Sequence, residues 1–126
     1  MIDHFNLPVS DLEKSARFYE TVLKTLGYPV LFRDNDAIGF GAQSWEFGIA
    51  QEEGTLQNIH VAFRANNNKD VSAFYQAAID AGAQCNGKPG YRSEYGPNYF
   101  AAFVIDANGH NVEAVCRTDD VAKPLA

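Results

Sequence analysis

This chain is short of several things, and each shortage removes a class of function. It carries 10 Lys and Arg against 16 Asp and Glu, a net charge of −6. Nucleic-acid binding needs a basic surface, so nucleic acid is not an expected partner. An acidic surface tolerates cationic ligands but mainly favours solubility. No apolar run nears the roughly 20 residues that span a bilayer, so no membrane partner is expected either. The start, Met1-Ile2-Asp3-His4, has no basic stretch ahead of an apolar one. It does not read as a secretion signal, and a cytoplasmic location is the expectation. The two cysteines, Cys85 and Cys116, have no C-x-x-C spacing. They read as buried free thiols, not as a disulfide frame or a zinc knuckle.

What is present is written twice. His4 is followed by Phe18-Tyr19 and Gly27; His60 is followed by Phe74-Tyr75 and Gly82. The offset between the histidines is 56 positions. Internal repetition makes the halves two units of one domain covering 1–126, about 1–52 and 57–117.

The patterning within each half agrees. Residues 2–9 alternate, with Phe5, Leu7 and Val9 on one side and Ile2, His4 and Asn6 on the other, as a half-buried strand does. Ser10 and Glu13 have capping-box spacing, with Ser10 as the N-cap. Leu12, Ala16, Tyr19, Leu23 and Leu26 recur at helical spacing, and Gly27 ends the helix. Strands are expected over Tyr28–Arg33, Ala37–Gly41 and Ser44–Gln51, the last with Trp45, Phe47 and Ile49 on one face and Glu46 on the other. Glu52–Thr55 reads as the joint.

The second half begins with a strand over Gln57–Arg64, with Ile59, Val61 and Phe63 opposite His60. A cap region at Asn66–Asn68 precedes a helix with Val71, Phe74, Ala78 and Ala81 inside. Gln84–Gly96 reads as irregular. Tyr99–Ile105 and His110–Arg117 read as strands, joined by an Asp106–Gly109 hairpin turn suited to positive φ. Thr118–Ala126 reads as a loose tail.

The order strand–helix–strand–strand–strand, twice, gives an α+β fold in which two small sheets, each covered by a helix, leave a shared concave cavity. His4, His60, Glu46 and Glu113 are placed on the open faces. Two histidines and a carboxylate on rigid strands suit a divalent metal such as Zn, Ni, Mn or Fe(II), with positions open for substrate. His4, His60 and Glu113 are the candidate ligands. Glu46 is a fourth ligand or, when displaced, a catalytic base, and Glu113 is the second catalytic carboxylate. His110, after the turn glycine, reads as an exposed loop residue.

At this point the chain resembles the vicinal oxygen chelate superfamily, which includes glyoxalase I, extradiol dioxygenases, fosfomycin-resistance enzymes and bleomycin-binding proteins. The carriers are Asp3-His4-Phe5, Ser10–Ser15 running into Phe18-Tyr19, His60–Phe63, and Asp106–Gly109 through Val112-Glu113. The resemblance implies tandem βαβββ units, a metal at His4, His60 and Glu113, a glyoxalase-like fourth ligand at Glu46, and homodimers, some of which build the site from two chains. It implies an enzyme of the lyase, isomerase or dioxygenase kind, whose small-molecule substrate chelates the metal through neighbouring oxygens. The alternative it implies is metal-free binding of a small molecule or antibiotic. Fold alone does not choose between these chemistries. Gly90–Tyr99 carries Arg92, Tyr95 and Tyr99. It reads either as a substrate clamp, with Arg92 on a carboxylate or phosphate and the tyrosines as donors, or as a packed surface loop.

Overall fold

A computed structural model of the chain describes residues 2–54 and 58–117. The first unit runs β1 (Phe5–Val9), α1 (Leu12–Lys24), β2 (Val30–Arg33), β3 (Ala37–Phe40) and β4 (Phe47–Gln51). The second runs β5 (His60–Arg64), α2 (Asn68–Asp80), β6 (Gln84–Tyr91), β7 (Phe100–Ile105) and β8 (Asn111–Cys116). Their sheets have the same order, β1-β4-β3-β2 and β5-β8-β7-β6, with the first and last strand of each unit paired in parallel. The fold is the expected pair of βαβββ units. The tail beyond Arg117 and the joint residues 55–57 lie outside the described residues.

Helix α1 forms because its apolar residues return every three or four positions. Leu12, Ala16, Tyr19, Leu23 and Leu26 are all buried, against Leu7, Val9 and Ile49 of the sheet behind. Burying each large side chain stabilises the fold by about 1.5–3 kcal/mol. In α2 the stripe is Val71, Phe74 and Ala78; Ala81, expected inside, is exposed because the helix has ended at Asp80.

Several local expectations are corrected. The α1 N-cap is Asp11, not Ser10: Asp11 accepts from the Lys14 N–H, while the Ser10 hydroxyl donates to Asn108 Oδ1 at 2.9 Å. Gln84–Tyr91 is a strand rather than irregular, with register shifts at its glycines. Cys85 is exposed on that edge strand; Cys116 is buried as expected. At the Asp106–Gly109 turn only Gly109 takes positive φ. Asn108 instead turns its side chain to the backbone of Ser10 in the other unit.

His110 is the largest departure. It is fully buried, not exposed. Its Nδ1 accepts from the Ile59 N–H at 3.0 Å, and its Nε2 lies 2.7 Å from the Pro8 carbonyl oxygen. An Nδ1 that accepts leaves the proton on Nε2 to be donated. The ring thus ties the edge strand of one unit to the start of β5 in the other. Tyr19 of α1 donates to Asp106 Oδ2 at 2.6 Å across the same seam.

Candidate functional site

The second unit's sheet sets the best-defined part of the site. Ala62, Glu113, Phe103 and Gly87 are partners in register across β5, β8, β7 and β6, so they share one face. His60, two residues before Ala62, lies on that face too. Its Nε2 stands 3.0 Å from Glu113 Oε1. The outer atoms of both groups are engaged. His60 Nδ1 lies 3.1 Å from the Asn111 carbonyl oxygen, and Glu113 Oε2 accepts a short hydrogen bond from the Tyr99 hydroxyl. Glu113 is only 2% exposed.

This arrangement has a chemical consequence. A carbonyl beside Nδ1 holds the proton there, which turns the bare lone pair of Nε2 toward a carboxylate oxygen. Two electron-pair donors that face each other, the imidazole half exposed and the carboxylate buried, need a cation between or beside them, either a proton or a metal ion. The second set of contacts is of the kind that orients metal ligands. The pair therefore fits the divalent metal that the repeat and the resemblance imply.

The Tyr99 hydroxyl, expected to be a donor to substrate, is committed to Glu113. Burial first, then the hydrogen bond and charge of Glu113, push that hydroxyl up to about 12, with the Arg117 guanidinium pulling the other way. Arg117 lies over the Tyr99 ring, 4.7 Å from its centroid. Tyr95 is 60% exposed and meets Tyr99 edge-to-face. Arg92 lies 5.4 Å over the centre of the Phe103 ring.

The first unit contributes differently. His4 is exposed, with Nδ1 2.8 Å from Asp3 Oδ1 and its ring against Trp45. Among the described residues no three His, Cys, Asp or Glu side chains gather into a group able to hold a metal. His60 and Glu113 are brought together; His4 and Glu46 do not join them as ligands within the chain.

The face expected for Trp45 is corrected. Residues 41–46 form a loop and β4 starts at Phe47, so strand alternation does not extend back to Trp45 or Glu46. The Trp45 ring crosses to the side of Asn6 and Gly48. It stands over Gly48 and Gly39, where an added Cβ would lie 2.8 and 2.6 Å from it. Phe32 stacks on it at 5.0 Å and 5°. Glu46 is exposed and lines a cavity of about 470 Å³ between the units, with Phe5, Tyr28, Phe40, Phe47 and His60 also in its wall. Burial, then the charge of Glu46, raises the Tyr28 hydroxyl.

Sequence reasoning did not single out Phe103 as the floor between His60 and Arg92, or Asn111 as the carbonyl behind His60. The register does place them, since Asn111 pairs with His60 and Phe103 with Glu113.

Residues 1–114 match the model of the Glyoxalase/Bleomycin resistance protein/Dioxygenase superfamily, and the chain belongs to that superfamily. Similar solved structures share its fold. A glyoxalase/bleomycin resistance protein from Albidiferax ferrireducens T118 is 26% identical, with 91% of this chain and 97% of that one covered and a TM-score of 0.79. A glyoxalase-related enzyme from Fulvimarina pelagi is 18% identical, with 100% and 99% covered and a TM-score of 0.72. The fosfomycin resistance protein FosX from Listeria monocytogenes, in complex with Mn(II) and 1S,2S-dihydroxypropylphosphonic acid, is 15% identical, with 91% and 88% covered and a TM-score of 0.68. No curated protein sequence gives a match. Among the described residues no helix is long and apolar enough to cross a membrane.

Proposed function

We propose that this chain is a metal-dependent enzyme for a small substrate that presents two neighbouring oxygens. His60 and Glu113 are the first two metal ligands, and His4 of a second copy is the third. The observation that carries the reading is the 3.0 Å approach of His60 Nε2 to Glu113 Oε1 with the outer atom of each group already held. The unjoined, exposed His4 is what a site shared between two chains requires. A divalent ion bound there supplies Lewis-acid stabilisation of negative charge on a substrate oxygen.

The chain's own residues do the rest. Asn111 fixes the imidazole and Tyr99 fixes the carboxylate, so neither ligand swings away. Glu113 has both oxygens occupied and is not free to move a proton. Glu46, exposed on the cavity that His60 also lines, is the carboxylate left to take one from substrate. The apolar wall of Phe5, Phe40 and Phe47 excludes water from that side.

The test is calorimetric titration of Mn(II), Zn(II), Ni(II) and Fe(II) into metal-stripped protein. Binding to wild type and its loss in His60→Ala, Glu113→Gln and His4→Ala is the expected result. Mixing His4→Ala with His60→Ala should restore about a quarter of the sites, the statistical share for a two-fold dimer with shared sites. Metal binding that survives His60→Ala would overturn the ligand assignment, and no recovery on mixing would overturn the shared site.

One observation favours a second reading, metal-free capture of a flat molecule. Phe32 is 39% exposed and lies parallel on Trp45, whose indole N–H has no hydrogen-bond partner among the described residues. Absent metal uptake, together with quenching of Trp45 emission by planar ligands, would move the assignment there.

A further inference from the structure

A cation lies over Phe103, on the sheet face of His60 and Glu113, without a counter-charge among the described residues. The Arg92 guanidinium is half-buried over Phe103, and no carboxylate pairs with it among the described residues. It is also held in place. Its Nη2 donates to the Lys88 carbonyl at 2.6 Å. A Cβ at Gly87 would lie 3.1 Å from Nη2, and one at Gly90 3.1 Å from Nη1, so the two glycines leave it its seat. Nη2 to Lys88 is one of five N–H donors, which leaves the fork with donors to offer. An unpaired, positioned guanidinium in a chain of net charge −6 is a recognition group rather than a solubilising one.

Its position relative to the metal pair is set by Phe103. That ring lies 6.2 Å from the His60 ring, tilted by 25°, and Arg92 covers it at 5.4 Å. His60 and Arg92 thus both stand against Phe103 in the second unit's sheet: a chelating centre, an apolar ring and an anion acceptor. We propose that the substrate carries a carboxylate which Arg92 takes, while its carbon skeleton crosses Phe103 and its paired oxygens face His60 and Glu113. One guanidinium balances one negative charge and offers two parallel N–H bonds, which suits a carboxylate better than a doubly charged phosphate. This inference rests on the metal reading above and names the substrate class for it.

The experiment compares two chelators on Mn(II)-loaded protein. Acetohydroxamate presents two neighbouring oxygens; succinate monohydroxamate presents the same pair with a carboxylate arm. The second should bind about tenfold more tightly to wild type, the gain expected of one charge-assisted pair. Arg92→Gln should abolish that margin and leave acetohydroxamate unchanged. Arg92→Lys, which keeps the charge but not the fork, should keep part of it. No margin in wild type, or a margin that persists in Arg92→Gln, overturns the inference. If neither hydroxamate binds, the metal reading fails, and benzoate on metal-free protein decides the anion site. Shifts of the Phe103 ring signals in wild type but not in Arg92→Gln support it; unmoved Phe103 signals in wild type overturn it.

Discussion

Tyr19 donates its hydroxyl hydrogen to Asp106 Oδ2 at 2.6 Å, and this bond joins the helix of the first unit to the last turn of the second. Both residues are buried. Burial first, then the charge and hydrogen bond of Asp106, hold the Tyr19 hydroxyl well above its usual value of 10.0. The unfolded chain therefore releases this proton at lower pH than the folded one. The contribution is complete below the unfolded value near 10 and is lost as pH rises toward the folded value. Tyr19→Phe should lower stability by about 2 kcal/mol at neutral pH, because Asp106 Oδ2 loses its donor in a buried place. It should also flatten the alkaline loss. Urea unfolding from neutral pH to above 10 measures both effects.

His110 is the other buried bridge, and it has two backbone partners, Ile59 and Pro8. His110→Ala strands both and leaves a cavity. The expected cost is about 3 kcal/mol, from unmet buried groups at roughly 1–3 kcal/mol each, partly relieved by water entry. Loss of the midpoint in urea unfolding, with metal stoichiometry unchanged in the folded fraction, is the expected outcome. A cost below about 1 kcal/mol would mean the bridge is not what holds the units together.

The contrast between these bridges and the His60–Glu113 pair explains what the sequence made legible. Alternation along β5 and β8 puts His60 and Glu113 on one face, because both lie in regular strands. Trp45 and Glu46 escape the same rule because the strand starts at Phe47, three residues after Ser44, and both precede it. His110 was unreadable for a different reason. Its partners are main-chain atoms of Pro8 and Ile59, 102 and 51 residues away, and main-chain atoms leave no mark on residue identity. The place of His4 was unreadable for a similar reason: the repeat equates His4 with His60 but does not say which units face each other.

Gly39 and Gly48 are required by the Trp45 ring rather than by backbone conformation. They pair across β3 and β4 beneath the indole, and neither has positive φ. Gly39→Ala places a methyl carbon 2.6 Å from ring atoms of Trp45, closer than carbon atoms approach. The ring must lift from the sheet and leave its stack with Phe32. Trp45 is the only tryptophan, so its fluorescence reports this directly. A red-shifted, more easily quenched emission is expected, with a stability loss of about 1–3 kcal/mol from overpacking. An emission spectrum identical to wild type would show that the indole does not rest where Gly39 and Gly48 make room for it.

Tyr99 separates a role in holding the metal from a role in touching substrate. Its hydroxyl is bound to Glu113, so the expected defect of Tyr99→Phe lies in the ion, not in the ligand that follows it. Without that donor one carboxylate oxygen is left unmet, and Glu113 can turn away from His60. Loss of such an outer partner weakens metal affinity by about 10–100-fold in comparable sites. Calorimetric titration with Mn(II) should therefore give a rise in Kd of about tenfold or more for Tyr99→Phe. Affinity of acetohydroxamate for the metal-saturated variant should stay close to wild type. The reverse outcome, an unchanged metal Kd with weakened hydroxamate binding, would return Tyr99 to the substrate-binding role that its place in the Gly90–Tyr99 loop first suggested.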